Sequence, residues 1–97
     1  MVVRITSDHF ELEEAQSHSR LIFESSSGAA PRVLLNFAGV KYINSTGVSL
    51  LVRIGTEREL RVVNLNPNVI KVMDSIGILP LLKIHRTERE AMEAFAR

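Results

Sequence analysis

The sequence predicts one α/β domain with a mostly parallel, open β-sheet of about four strands and about four helices. Three observations lead to this prediction. Short β-branched or apolar runs alternate with longer amphipathic segments along the 97 residues, which is the pattern of strand, crossover helix and parallel strand. The run RVLLNF at 32–37 is almost continuously apolar, as is typical of a central strand covered on both faces. The chain has the length of one small domain, so residues 1–97 are expected to form a single unit.

The N-terminal third is predicted to contain one strand and one helix. VVRIT at 2–6 has the β-branched composition of a strand, and Ser7 or Asp8 is placed to cap a helix that ends near Ser25. SSSGAAP at 25–31 is the predicted exit loop. The apolar stripe that would face the core is thin and consists of Leu12, Ala15, Leu21 and Ile22.

The middle of the chain is predicted to pass from the central strand into a second helix. Gly39 suits a turn, VKYI at 40–43 extends briefly, and the helix follows the polar residues NST and reaches about Glu59. Its core-facing residues are predicted to be Val48, Leu51, Val52 and Ile54.

The third helix carries clear start and stop signals. It follows a strand at 61–65, with Asn66 as N-cap and Pro67 in the first turn. Gly77 suits the left-handed position after its end, and Pro80 prevents its continuation. Its predicted core stripe is Val69, Ile70, Val72, Met73 and Ile76.

The chain is predicted to close with a short strand at 81–85 and a terminal helix. Thr87 and Glu90 have the spacing of a capping box at the start of that helix. The residues predicted to face inward are Ala91, Met92, Ala94 and Phe95.

The composition excludes several classes of function. The chain has no cysteine, so it has no disulfide, thiolate metal site or cysteine nucleophile. A net charge of +1 gives no reason to expect nucleic acid as a partner. No apolar run approaches the roughly 20 residues that span a bilayer, and no signal-peptide pattern opens the sequence. We therefore expect a cytoplasmic protein without membrane insertion.

Motifs of enzymes and cofactor sites are also missing. The sequence has no P-loop, no dinucleotide-binding fingerprint and no nucleophile elbow. His9, His18 and His85 are far apart in the sequence and lack flanking ligands, so they are expected to be surface or edge residues. We predict no catalytic residue, no metal site and no cofactor.

The segment INSTG at 43–47 places two adjacent hydroxyls at the predicted junction between a strand and a helix. A helix start needs hydroxyl or amide side chains for its first N–H groups, and Asn44, Ser45 and Thr46 can all supply one. The alternative is a modified serine, since Gly47 lets another backbone or a kinase approach closely. In open α/β sheets, sites favour the carboxyl ends of strands, where this junction lies.

The order of elements and this junction together resemble the STAS domain family of anti-sigma factor antagonists. That family has a buried strand, a hydrophobic-Asp-Ser-Ser/Thr-Gly-hydrophobic motif entering a helix, a strand, a helix ending in a Gly-hydrophobic pair, a short strand and a closing helix. The resemblance covers most of the chain. The corresponding segments here are VLLNF, YINSTGVSLL, LRVVNL, NPNVIKVMDSIGILPLL and TEREAMEAF.

The resemblance implies a regulatory module of transcription that binds a partner and is not an enzyme. The expected partner is an anti-sigma factor that is also a serine kinase, or a related signalling protein, and a homodimer or larger assembly is also open. The phosphorylated residue would be Ser45, with Thr46 as the second choice. The partner surface would include the nearby loop at 39–42 and the residues Asn44, Ser45, Thr46, Gly47, Val48 and Ser49.

Two departures from the family pattern keep other interpretations open. Asn44 stands where the family usually has Asp, and the N-terminus has one predicted strand where the family has two, so the edge strand is shortened or missing. The alternative is a STAS subunit of a larger complex, such as a stress-signalling assembly or a lipid-transport ATPase, that does not use phosphorylation. Nucleotide binding at the same junction ranks third, because no P-loop lysine is present.

Overall fold

The computed structural model describes residues 1–25 and 32–96. Within them, the strands are β1 (Val2–Arg4), β2 (His9–Phe10), β3 (Arg32–Asn36), β4 (Tyr42–Ile43), β5 (Glu59–Val63) and β6 (Lys83–His85). The helices are α1 (Leu12–Ser25), α2 (Ser45–Glu57), α3 (Pro67–Ile76) and α4 (Glu88–Phe95), and Leu79–Leu81 form a 3₁₀ turn. Residues 26–31, the rest of the predicted exit loop after Ser25, lie outside the described residues.

Four strands form one parallel sheet in the order β1-β3-β5-β6, and β2 pairs with β4 as a separate parallel ribbon. This confirms the predicted α/β class and the four-stranded parallel sheet. Val33, Leu34 and Leu35 of β3 are all buried, because helices cover both faces of the sheet at this strand. The edge strand β1 has three residues, fewer than the predicted strand at 2–6. The prediction of a single strand before the first helix is wrong, because His9–Phe10 form a second strand that pairs with β4.

The two faces of the sheet are covered unequally. The main core joins one face to α1, α2 and α3 and contains Val33, Leu35 and Val62 of the strands with Ala15, Leu51 and Met73 of the helices. The opposite face is covered by α4, and its core consists of Leu34, Val63, Ala91 and Phe95. Side chains alternate between the two faces along a strand. Val33 and Leu35 therefore point into the larger core, whereas Leu34, between them, points into the smaller one.

The first helix begins later than predicted. Neither Ser7 nor Asp8 caps it, because His9–Phe10 form β2 and bury Phe10 completely. Glu11 instead precedes the helix: its carbonyl accepts the N–H of Ala15 at 2.8 Å, and its own N–H donates to Oε1 of Glu14 at 3.3 Å. The helix is therefore held at its start by the glutamate half of a capping box.

The buried stripes of three helices are narrower than predicted. Leu12, Leu21, Ile70, Ile76 and Met92 are exposed, whereas the buried helical positions recur at intervals of three and four residues. Each helix contacts the sheet along a single line, so apolar residues beside that line stay at the surface. The buried members are Ala15, Ser19 and Ile22 in α1, Val69 and Met73 in α3, and Ala91 and Phe95 in α4.

The local end signals of the later elements are confirmed, although two strands are displaced. Oδ1 of Asn66 caps α3, Gly77 adopts the left-handed conformation with φ 87°, and Oγ1 of Thr87 caps α4. The strand predicted at 61–65 is Glu59–Val63, since α2 already ends at Glu57. The strand predicted at 81–85 begins only at Lys83, because the chain around Pro80 forms the 3₁₀ turn.

Candidate functional site

Asn44 is the residue that starts α2. It has extended backbone angles, its Oδ1 accepts the N–H of Gly47 at 2.9 Å, and its carbonyl accepts the N–H of Val48 at 3.0 Å. An N-cap needs one side-chain acceptor, and the amide oxygen supplies it. The capping role is therefore filled by Asn44, and neither neighbouring hydroxyl is required for it.

Gly47 is buried against the backbone of β2. A Cβ atom on this residue would lie 2.1 Å from the carbonyl oxygen of Phe10 and 3.1 Å from Cγ1 of Ile43. Only glycine permits this distance, because any side chain would overlap with the Phe10 carbonyl. The close approach made possible by Gly47 thus brings the chain's own β2 against the first turn of α2.

The two hydroxyls of the junction point to the surface. Ser45, Thr46 and Ser49 are exposed, whereas Val48 is buried at 2% exposure. Within residues 1–25 and 32–96, the side chains and backbone N–H groups of Ser45 and Thr46 have no hydrogen-bond partner. Of the six residues predicted to bind a partner, Gly47 and Val48 therefore lie beneath the surface that the other four present.

An acidic depression adjoins the junction. It has a volume of about 340 Å³ and is lined by Asn44 together with Leu12 and the carboxylates of Glu11, Glu13 and Glu14. These residues belong to the start of α1, which packs against α2. These residues were not predicted to lie beside the junction, because the first helix was expected to begin before Glu11. The sequence does show three glutamates around one apolar residue in this segment.

Tyr42, in the strand that leads into the junction, lies at the surface. Its side chain is 54% exposed, and its ring centroid is 5.0 Å from that of His9, which itself contacts Asp8. The reason is the pairing of β4 with β2, which turns Ile43 inward and Tyr42 outward. Tyr42 therefore adds aromatic surface three residues before Ser45.

The other two histidines are occupied by structural contacts. Nδ1 of His18 lies 2.7 Å from the carbonyl oxygen of Glu14, and Nε2 of His85 lies 2.8 Å from Nη1 of Arg61. In the described part of the chain, no three His, Asp or Glu side chains are grouped in a way that would hold a metal ion. No helix among residues 1–25 and 32–96 combines the length and apolar character that crossing a bilayer requires.

A hydrogen-bonded network joins α4 to the carboxyl ends of β1 and β3, and sequence reasoning did not find it. The Glu88 carboxylate receives Nε and Nη2 of Arg4 at 3.0 and 2.8 Å and Nδ2 of Asn36 at 2.6 Å. The Asn36 and Arg4 hydrogen bonds hold the pKa of Glu88 below its ordinary value. Oδ1 of Asn36 also accepts from Asn64, which continues the network to the end of β5.

Comparisons with known proteins agree with this architecture. The family model of the STAS domain matches residues 1–91. The fold is similar to a candidate anti-sigma factor antagonist of Thermotoga maritima, with TM-score 0.84, 23% identity, and coverage of 99% of this chain and 88% of that one. It is also similar to an anti-sigma-factor antagonist (STAS) domain protein of Planctomyces limnophilus, with TM-score 0.85, 21% identity, and coverage of 99% and 90%. No curated protein matches the chain in sequence.

Proposed function

This chain belongs to the STAS domain family, and we propose that it is a protein-binding regulatory module of the anti-sigma factor antagonist type, switched by phosphorylation of Ser45. Its partner is an anti-sigma factor with serine-kinase activity or a related signalling protein. The module acts in the cytoplasm as a single domain, and it works by binding, without catalysis of its own. The observation that carries this proposal is an exposed Ser45 hydroxyl at a helix start that Asn44 already caps.

The first turn of α2 is suited to accept a phosphate without unfolding. The N–H groups of Ser45 and Thr46 have no partner among the described residues, and a helix N-terminus favours negative charge. A phosphate on Ser45 would add about −1.5 to −2 charge. The domain therefore keeps its fold in both states, and only its surface changes.

The interface is where phosphorylation would act. Ser45, Thr46 and Ser49 form an exposed patch beside Tyr42 and the acidic depression. A partner that covers this patch has to remove water from it, and removing water from a phosphate dianion is far more costly than from a hydroxyl. The phosphate would also repel any acidic partner residue that approaches this patch. Phosphorylation is therefore expected to release the partner.

The proposal is tested first by intact-mass measurement of the protein isolated from its own cells, with and without stress, followed by localisation of any phosphate. We expect one added phosphate on Ser45 in at least one condition. Ser45→Ala is expected to abolish it, and the matched variant Thr46→Ala is expected to keep it. A phosphate retained in Ser45→Ala and lost in Thr46→Ala would move the switch to Thr46.

The second test concerns binding to the partner kinase. Ser45→Asp is expected to weaken the complex at least about tenfold, or 1.4 kcal/mol. Ser75→Asp places the same charge at an exposed position of α3 and is expected to bind like the unchanged protein. If Ser45→Asp binds as tightly as the unchanged protein, the proposed switch is wrong.

A constitutive subunit is the second candidate function, and Asn44 favours it. In the family pattern a carboxylate precedes the serine, and here an amide caps the helix equally well without the negative charge. If that charge helps to activate the hydroxyl, Ser45 is a poor substrate. A stable partner that remains bound to Ser45→Asp, with no phosphate on the protein in any condition, would establish this alternative.

A further inference from the structure

We propose that the cavity at the carboxyl ends of β5 and β6 is a binding site for a small organic anion, with a phosphate or carboxylate group carried on a compact apolar body. This site is separate from Ser45 and does not depend on the proposed switch. It is formed by the connections from β5 to α3 and from β6 to α4.

The topology of the sheet places a crevice at this position. β5 and β6 are neighbours and parallel, but the helices that follow them lie on opposite faces. Val69 and Met73 of α3 belong to the core with Val62, whereas Ala91 and Phe95 of α4 belong to the core with Val63. Neighbouring strands whose connections leave toward opposite faces open a gap between them, and open α/β sheets bind ligands in such gaps.

The cavity found there has the size and the lining of a small-molecule site. Its volume is about 510 Å³, within the range of roughly 300–1,000 Å³ of ligand pockets. Its apolar wall consists of Leu65, Ile70 and Ile84, and Ile70 is exposed. The polar residues that line the same cavity are Asn64, His85, Arg86 and Glu90.

Arg86 provides the positive charge of the site. Its side chain is exposed and forms no ion pair within the described residues. The nearby Glu90 carboxylate accepts the backbone N–H of Arg86 at 3.3 Å, so it serves the start of α4 and leaves the guanidinium available. A guanidinium binds phosphate or carboxylate through two parallel hydrogen bonds. This group selects an anion.

His85 is held as a fixed hydrogen-bond donor. Nη1 of Arg61 lies 2.8 Å from its Nε2, and because arginine can only donate, Nε2 is the acceptor and the neutral ring carries its proton on Nδ1. Arg61 is itself fixed, with 13% side-chain exposure, a contact to Glu59 at 3.3 Å and the Phe95 ring 5.0 Å away. The ring is therefore oriented before any ligand arrives, which lowers the entropy lost on binding.

The charge of the helix ends adds to this preference. α3 begins two residues after Leu65, and α4 begins two residues after Arg86. Both N-termini therefore adjoin the cavity, and the positive ends of their dipoles favour an anion. The Asn64 amide, held by a 3.2 Å hydrogen bond to Asn36, is a further polar group of the lining.

The test is an NMR titration of the ¹⁵N-labelled full chain with phenyl phosphate, benzoate and inorganic phosphate. We expect saturable shifts of amides in residues 64–70 and 84–90. Phenyl phosphate should bind more tightly than inorganic phosphate because only it contacts the apolar wall. Tighter binding of phenyl phosphate than of benzoate would assign the natural ligand to the phosphates, and the reverse would assign it to the carboxylates.

Two pairs of measurements make the test specific. Arg86→Gln is expected to weaken phenyl phosphate binding about tenfold. The matched variant Arg89→Gln removes an arginine of the same segment that is 89% exposed and paired with Glu93, and it should leave binding unchanged. Ile70→Ser should weaken phenyl phosphate and leave inorganic phosphate unaffected. The proposal is overturned if no probe gives saturable shifts in these segments, or if Arg86→Gln and Arg89→Gln weaken binding equally.

Discussion

Replacing Gly47 by alanine tests the packing that fixes the candidate site. The new Cβ would lie 2.1 Å from the carbonyl oxygen of Phe10. This distance is almost an ångström shorter than 3.0 Å, below which Cβ contacts are essentially never observed. The obstacle is backbone, so it cannot rotate away, and either β2 or the first turn of α2 has to move. Overpacking typically costs about 1–3 kcal/mol, and the upper part of that range applies to a rigid obstacle.

A gain in helix propensity opposes this cost. Alanine in a helix is favoured over glycine by about 1 kcal/mol, so the net loss of unfolding free energy is expected to be about 2 kcal/mol. For a domain of this size such a loss lowers the melting temperature by about 8–16 °C. The measurement is urea and thermal unfolding followed by circular dichroism.

Gly55→Ala is the matched control in the same helix. Its nearest neighbour would be Cδ2 of Leu60 at 3.8 Å, an ordinary contact, so only the propensity gain remains. We expect this variant to be more stable than the unchanged protein by up to about 1 kcal/mol. If Gly47→Ala were stabilised to the same extent as Gly55→Ala, the close packing of α2 on β2 would be refuted, and with it the account of why glycine follows the two hydroxyls.

Two further predictions concern the other polar contacts. Asn44→Ala removes the cap of α2 and should cost about 1 kcal/mol in urea unfolding, whereas Asn44→Asp should cost nothing; equal stability of all three proteins would contradict the capping role. The pKa of Glu88 is lowered in the folded state by Asn36 and then Arg4, so its contribution to stability is present above the unfolded pKa and is lost as pH falls through the folded pKa. The difference in unfolding free energy between the unchanged protein and Glu88→Gln should therefore be largest near neutral pH and shrink in acid, and a difference independent of pH would contradict the network.

The sequence predicted those parts of the fold that depend on nearby residues. Asn66, Gly77 and Thr87 lie at helix ends in the structure because each satisfies backbone groups within its own turn. The continuous apolar run of β3 likewise predicted a central strand, since burial on both faces is visible in composition alone. Local chemistry was sufficient for these elements.

The parts that sequence reasoning missed depend on contacts between distant segments. β2 has two residues and exists because it pairs with β4, more than thirty residues later. That pairing buries Phe10, moves the start of α1 to Leu12 and turns Tyr42 outward. No periodicity in a two-residue strand reveals such a pairing, and so the acidic depression beside Asn44 was not predicted either.

The helix cap and the proposed modification site are neighbours at the start of α2. A helix start needs an acceptor for its N–H groups, and Asn44 provides it for Gly47. The N–H groups of Ser45 and Thr46 then remain at an exposed surface, where they would bind phosphate oxygens as readily as water. The exchange of the family's Asp for Asn44 preserves this geometry and removes one charge. We therefore expect stability to depend on the amide as a cap. In the proposed switch, the rate at which Ser45 is modified would depend on the charge that the amide lacks, so the two effects can be measured separately.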